Sequence, residues 1–264
     1  MAPTRLIVAS AEYVTPTLRR VWFRSDDLSA FADSESTDRY VKLVFPRPGV
    51  ELPEGLSPRE LRDVVAPEEL PVVRTYTALF PDVAAGTVAI DFVVHGDEGV
   101  AGPWAQRAEP GGVLDANGPG GGYRPDPAAD VHLLVADESA VPAISAALSD
   151  LPSDASGHAF VLVDTAAHEP VLTAPDGVTI TFLHRDGGPA LTDAVRAWPW
   201  PEGRVQAFVH GEADEVMHGI RPYLLKEKGL PRADASISGY WRRGRSEEGF
   251  RAWKSELAAT ETAG

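Results

Sequence analysis

The stretch GYRPDPAADVHLLVADESAVPAI, residues 122–144, decides the fold. Its opening, GYRPDPAAD at 122–130, is rich in turn-forming proline and glycine and has no periodicity, the composition of a crossing between domains. VHLLVAD then runs apolar on both faces, as a strand does in a parallel sheet covered by helices, and a turn leads into the helical SAVPAISAALSDL. Downstream the alternation continues through HAFVLVD, VTITFLHR, the helical PALTDAVRAW, RVQAFVHGE, the helical DEVMHGIRPYLLKEK and the strand-like ASISGYW. Residues 125–264 therefore read as a three-layer α/β domain with a parallel sheet. In its last piece, SEEGFRAWKSELAAT, Phe250, Trp253 and Leu257 recur at three- and four-residue spacing, which predicts an amphipathic terminal helix. Pro222 falls inside MHGIRPYLL and predicts a kink there.

Upstream the rhythm differs. TRLIVASAEYV, LRRVWFRS, YVKLVFP, VVRTYTALF, TVAIDFVVHG and GVLDANGP are six β-rich runs separated by turn signals, with an acidic, proline-rich insertion at 47–71. Six short strands in succession predict a closed antiparallel barrel over residues 1–124. GPWAQRAEPGG, between the fifth and sixth runs, reads as a short helix.

Composition excludes several functions. The 264 residues hold 24 Lys and Arg against 39 Asp and Glu, a net charge of −15 that disfavours nucleic acid or an anionic membrane as partner. No cysteine is present, so disulfides, iron–sulfur clusters and thiolate zinc sites are excluded. No H-x-H or H-E-x-x-H spacing points to a protein-bound metal. No segment approaches the roughly 20 apolar residues of a membrane span, and the N-terminal apolar run is too short for a signal peptide. The expectation is a cytoplasmic monomer without membrane insertion.

Candidate binding residues sit on the fourth run. Alternation in PVVRTYTALF, residues 71–80, turns Arg74 and Tyr76 the same way, beside Thr77, and a partly buried strand seldom presents a cation and a phenol together unless something binds there. Asp91 and His95 lie an even number of residues apart on the next run and should share a face. In ADESAVPAI, Ser139 is placed to cap a helix, while Asp137 and Glu138 suit a helix dipole and repel phosphate; no G-x-G-x-x-G occurs. Ligands favour domain junctions and the carboxyl ends of parallel strands, so the expected site is a cleft between the two domains.

RTYT (74–77), DFVVHG (91–96), GPWA (102–105), NGPGGGY (117–123), DESAVPAI (137–144), FLHR (182–185), HGEADEV (210–216) and GYWRRG (239–244) stand in the order seen in siderophore-interacting proteins, so nearly the whole chain resembles that family of FAD-dependent ferric-siderophore reductases, related to ferredoxin reductases. The resemblance implies an FAD-binding barrel and an α/β domain for NADH or NADPH. It implies Tyr76 against the isoalloxazine, Thr77 hydrogen-bonded to its reactive edge and Arg74 on the pyrophosphate. It places His95 and Asp91 at the cofactor, with backbone N–H groups around Gly102, Trp104 and Ala105 on the phosphates. Asp137, Ser139, Glu212 and Trp241 are the implied cofactor residues of the second domain.

Departures are Leu79, where relatives commonly carry a second arginine, and Ala136, where they carry glycine. For an anionic ferric siderophore the densest basic patch is GYWRRGR, with Arg242, Arg243 and Arg245, to which Lys42 and Arg47 of the barrel would add. His184 and Arg185 either meet the dinucleotide phosphates or simply end a strand. Two other readings stand beside ferric-siderophore reduction: a reductase of free flavin or of a protein partner, and a non-catalytic siderophore-binding protein.

Overall fold

The structure, a computed structural model, describes residues 3–97 and 99–244; the expected terminal helix, with Phe250, Trp253 and Leu257, and the candidate Arg245 lie outside the described residues. The chain divides into two compact units, residues 1–124 with 145–150, and residues 125–144 with 151–264.

The first unit contains a closed antiparallel barrel of β1 (Thr4–Thr15), β2 (Leu18–Arg24), β3 (Tyr40–Phe45), β4 (Val72–Asp82), β5 (Thr87–Val93) and β6 (Val113–Gly120), in the order β1-β2-β5-β4-β3-β6. Each strand sends alternate residues inward. Leu6 and Val8, Val21 and Phe23, Val41, Leu43 and Phe45, Val88, Ile90 and Phe92, and Leu114 and Ala116 fill one continuous core. The insertion holds α1 (Pro58–Val64), opened by a capping box in which Ser57 and Glu60 exchange side-chain and backbone hydrogen bonds. That S-x-x-E pattern was readable in SPRE, within what was expected only as an acidic, proline-rich insertion.

A second short helix, α2 (Ala101–Gln106), plugs the barrel. Its Trp104 packs on Phe92 at 5.6 Å, Phe45 at 5.9 Å and Phe23 at 6.2 Å between ring centroids. Arg19 of β2 donates to the carbonyls of Gln106 at 2.6 Å and Ala108 at 3.3 Å, supplying partners where the helix runs out of its own N–H groups. The glycine run after β6 is fixed in a similar way. Asp38 Oδ1 accepts from the N–H groups of Gly122 and Tyr123, both at 2.9 Å. A Cβ on Gly120 would meet the Tyr40 ring at 2.4 Å, so only glycine lets that ring lie across the strand.

On the barrel's outer face, Arg20 grips Asp91 across the β2–β5 pair with Nε–Oδ1 at 2.7 Å and Nη2–Oδ2 at 2.8 Å. Phe80 covers this pair: its ring lies 5.1 Å from the Arg20 guanidinium and stacks on Trp22 at 5.9 Å. To reach that position Phe80 adopts φ of 49°, rare for a bulky residue, where the β4–β5 register slips between Leu79 and Asp82.

The second unit is a five-stranded parallel sheet of β7 (Val131–Asp137), β8 (Gly157–Val163), β9 (Val178–His184), β10 (Val205–Glu212) and β11 (Ala235–Trp241), in the order β11-β10-β7-β8-β9. α3 (Val141–Ser149) follows β7 and α4 (Leu191–Ala197) follows β9. After β10 the chain enters two wide-turned helical segments, α5 (Asp214–Ile220) and α6 (Tyr223–Glu227), joined at Pro222. Around the proline the turns widen: Arg221 N–H reaches Val216 and Lys228 N–H reaches Tyr223, both i→i−5 bonds. Proline lacks an N–H and crowds the preceding turn, and a widened turn relieves both. Val216, Ile220, Tyr223 and Leu224 from these segments join Val135, Ala207 and Val209 in one buried cluster.

The Arg20–Asp91 pair is the costly element of the barrel wall, since the Asp91 side chain is 1% exposed and Arg20 19%. Asp91→Ala, which strands the guanidinium, should lower stability by about 3 kcal/mol, read as a lower urea midpoint at unchanged slope. Arg20→Met with Asp91→Leu should recover most of that loss.

Candidate functional site

In the barrel, Arg74 and Tyr76 share the face of β4 that carries Val72 and Ala78, and their cross-strand partners on β3 are the core residues Leu43 and Val41. Both are half-buried. The Tyr76 ring leans on Phe92 at 4.6 Å, which fixes its plane, and Arg74 Nη1 donates to its neighbour's carbonyl on Val73 at 3.2 Å. Thr77 is buried and by alternation points to the opposite face, opposite Tyr40. Lys42 is exposed on that second face, between Thr75 and Asn117. Arg47 donates to the carbonyl of Leu70 at 2.9 Å.

Several expected residues do not join this face. Asp91 is held on the outer wall by Arg20, so its carboxylate is committed within the barrel. β5 ends at Val93, so alternation no longer governs His95, which is exposed beyond the strand. The Trp104 side chain is the barrel plug, and the residue's backbone N–H is taken by the carbonyl of Val100 at 3.1 Å, leaving it unavailable to a phosphate. Ala105 is fully buried. Ala101 and Gly102 keep first-turn N–H groups that the helix itself cannot pair. Leu79 is 1% exposed, an apolar position in the wall.

What remains suits a flavin dinucleotide by its chemistry. A half-buried guanidinium matches a pyrophosphate and a braced phenol ring offers a flat contact, while Thr77 lies on the opposite face of the strand and does not join them.

In the α/β unit the strand order reverses between β7 and β10, the place where open parallel sheets bind ligands at their carboxyl ends. Asp137, Ser139, Glu212 and Trp241 do meet there, bonded to one another. Asp137 Oδ1 accepts from Ser139 N–H at 2.9 Å and Ser139 Oγ at 2.5 Å; Oδ2 accepts from Trp241 Nε1 at 2.7 Å and Glu212 N–H at 2.9 Å. The expected cap is thus reversed, since the aspartate accepts and Ser139 donates. Gly211 permits this approach, because a Cβ there would lie 2.9 Å from Asp137 Cγ. Ala136 is fully buried one residue earlier.

Glu212 continues the network, accepting from Glu215 N–H at 3.0 Å and from Arg243 N–H at 3.1 Å. Arg185 sits 3.0 Å from Asp164 and 3.9 Å from Asp137, and His184 Nε2 lies 2.7 Å from Glu169. Arg242 reaches Asp214 at 3.1 Å, while the Arg243 side chain is exposed. These cations are largely partnered by acids of their own unit.

Burial pushes the Asp137 carboxyl above the ordinary aspartate range, against the pull of its Ser139, Trp241 and Arg185 partners. Glu215, which sequence reasoning missed, is also pushed up, first by burial and then by the charges of Asp137 and Glu212, while N–H groups of Thr192 and Leu191 oppose the shift. The signal was available: Glu212 precedes it by three residues, the spacing at which a side chain caps a helix start. A carboxyl raised in the fold contributes stability that is complete below its ordinary value and is lost as pH rises through the raised one. Glu215→Gln, keeping the acceptor without the charge, should therefore raise the melting temperature at pH 7 and leave it unchanged below about pH 4.

Comparison with known proteins follows the same division. Residues 7–123 match the siderophore-interacting FAD-binding domain, and residues 129–244 match the siderophore-interacting protein domain. The chain is 45% identical to the uncharacterized protein Rv2895c of Mycobacterium tuberculosis, over 96% of this chain and 95% of that one. It is 36% identical to the ferric vibriobactin reductase ViuB of Vibrio cholerae, over 94% and 92%. Among solved structures, a siderophore utilization protein from T. fusca superposes with a TM-score of 0.77 at 39% identity, over 92% and 93% of the two chains. The ferredoxin reductase of carbazole 1,9a-dioxygenase shares the fold, with a TM-score of 0.65 at 18% identity, over 90% of this chain and 69% of that one. A six-stranded barrel ahead of a five-stranded parallel sheet, matched in both halves and along nearly its whole length, makes this chain a member of the siderophore-interacting protein family, with a ferredoxin-reductase-like fold.

Proposed function

We propose that the protein is an FAD-dependent ferric-siderophore reductase of the cytoplasm, acting as a monomer with NADH or NADPH as electron donor. Residues 1–124 form the FAD domain and residues 125–264 the nicotinamide domain. The observation that carries the reading is the shared face of Arg74 and Tyr76 on β4, in a chain 36% identical to a ferric vibriobactin reductase along almost its full length.

Arg74 would hold the pyrophosphate and Tyr76 the flat ring system, with the first-turn N–H groups at Ala101 and Gly102 as further phosphate donors. A bound FAD would supply two-electron acceptance from a nicotinamide and single-electron release, which is the conversion that ferric iron requires. Ferrous iron is held less tightly by the hard oxygen donors of a siderophore, and reduction loosens the chelate.

The chain's own part is to bind and orient. Phe92 braces Tyr76 against rotation, and the barrel core behind it keeps water from that side of the ring. No side chain is assigned a proton transfer. The exposed cations Lys42 and Arg243 are available to an anionic chelate, in a protein whose net charge of −15 otherwise repels one.

An anaerobic mixture of protein, FAD, NADH or NADPH and a ferric siderophore should release Fe(II) to a ferrous-specific dye. Nicotinamide oxidation unaffected by the ferric chelate would favour a general flavin reductase, and no flavin uptake at all would refute the reading. Arg74→Ala should weaken FAD binding by about 10- to 100-fold, the loss of a charge-assisted hydrogen bond; near-normal retention would remove Arg74 from the site.

A further inference from the structure

The carboxyl end of β8 adjoins that of β7, on the side away from the reversal of strand order. A dinucleotide crossing such a sheet sets its adenosine ribose over that neighbouring strand end. There a carboxylate accepts from the ribose 2′-hydroxyl, or a guanidinium meets a 2′-phosphate. This chain brings both groups to the place, bonded to each other.

β8 and β9 pair in parallel register as far as Val163 and His184, and the ladder runs on past both strands. Arg185 N–H donates to the carbonyl of Val163 at 3.0 Å and Asp186 N–H to that of Asp164 at 3.4 Å, which holds Asp164 and Arg185 side by side. Arg185 Nη1 donates to Asp164 Oδ1 at 3.0 Å, while its Nη2 lies 3.9 Å from Asp137. The guanidinium is therefore committed to carboxylates, and the Arg185 side chain is only 25% exposed. The Asp164 side chain is 48% exposed, and its Oδ2 accepts no hydrogen bond among the described residues. His184, the other basic group at the end of β9, lies 2.7 Å from Glu169. Arg185 and His184 are thus both tied to acids of the loop that follows β8.

We infer that Asp164 makes this protein selective for NADH over NADPH. The inference rests on the reductase reading above and names its electron donor. Asp164 Oδ2 is an open acceptor for a ribose hydroxyl, a donor that NADH keeps and NADPH has esterified. A 2′-phosphate would set a charge of about −1.5 to −2 against Asp164 and Glu169, and it could take Arg185 only by breaking that residue's bond to Asp164. Attraction for one nucleotide and repulsion of the other come from a single carboxylate.

Titration calorimetry of the full-length chain with NAD⁺ and with NADP⁺ reads this choice without turnover. NAD⁺ should bind about 10- to 100-fold more tightly, the range of one charge-assisted hydrogen bond. Asp164→Ser, which frees Arg185, should tighten NADP⁺ by about tenfold and loosen NAD⁺ by a similar factor; Asp164→Asn should shift both the same way by less. Adding Arg185→Ala to Asp164→Ser should cancel the gain for NADP⁺ and leave NAD⁺ as in the single variant. Equal affinities in the natural protein, a preference for NADP⁺, or an unchanged ratio in Asp164→Ser would overturn the inference and leave the reductase reading standing. Binding of neither nucleotide would remove the nicotinamide domain from that reading and the inference with it.

Discussion

The carboxylate of Asp137 organises the second unit. It is buried at the carboxyl end of the central strand, where an isolated charge is expensive, and four donors from Ser139, Glu212 and Trp241 make the position tolerable. Those donors belong to two other strand ends and one turn. Satisfying one buried acid therefore sets the relative heights of β7, β10 and β11 and the exit angle into α3. Glu212, once placed by its own N–H on Asp137, uses its carboxylate to start α5 and to hold Arg243. The start of α5, and the turn that carries the exposed Arg243, follow from that first contact.

The barrel answers a different constraint. Its interior is aromatic and aliphatic throughout, and α2 inserts Trp104 among Phe23, Phe45 and Phe92. Phe92 in turn steadies Tyr76. A flat cofactor needs a surface whose tilt does not drift, and here the binding face is the outer layer of a packed aromatic stack. On the outer face of the adjoining strands, Arg20, Asp91 and Phe80 form an ionic and aromatic clamp that holds β2, β4 and β5 together.

Much of this was legible in residue order. The six barrel runs and the strand–helix alternation appear where expected, because period-two alternation and doubly apolar runs are imposed by which faces must be dry. Arg74 and Tyr76 fall together for the same reason. Asp91 and His95 were harder: parity correctly separates faces along a strand, yet it is silent on which neighbour takes the carboxylate, and it lapses where the strand stops. Trp104 shows the same limit, since a residue at a helix start reads as offering its backbone N–H to a phosphate until the carbonyl of Val100 takes it.

Sequence alone determined the two-domain order, the absence of thiol chemistry, the acidic surface and the strand carrying Arg74 and Tyr76, because each of these depends on composition or local period. Tertiary structure decided the partners. That Arg20 takes Asp91, that Asp137 gathers Ser139, Glu212 and Trp241, and that Arg185 takes Asp164 are consequences of residues distant in the chain meeting across a sheet. Hydrogen-bond pairing and desolvation act at about 3 Å in space, and no local pattern encodes which distant group will arrive there.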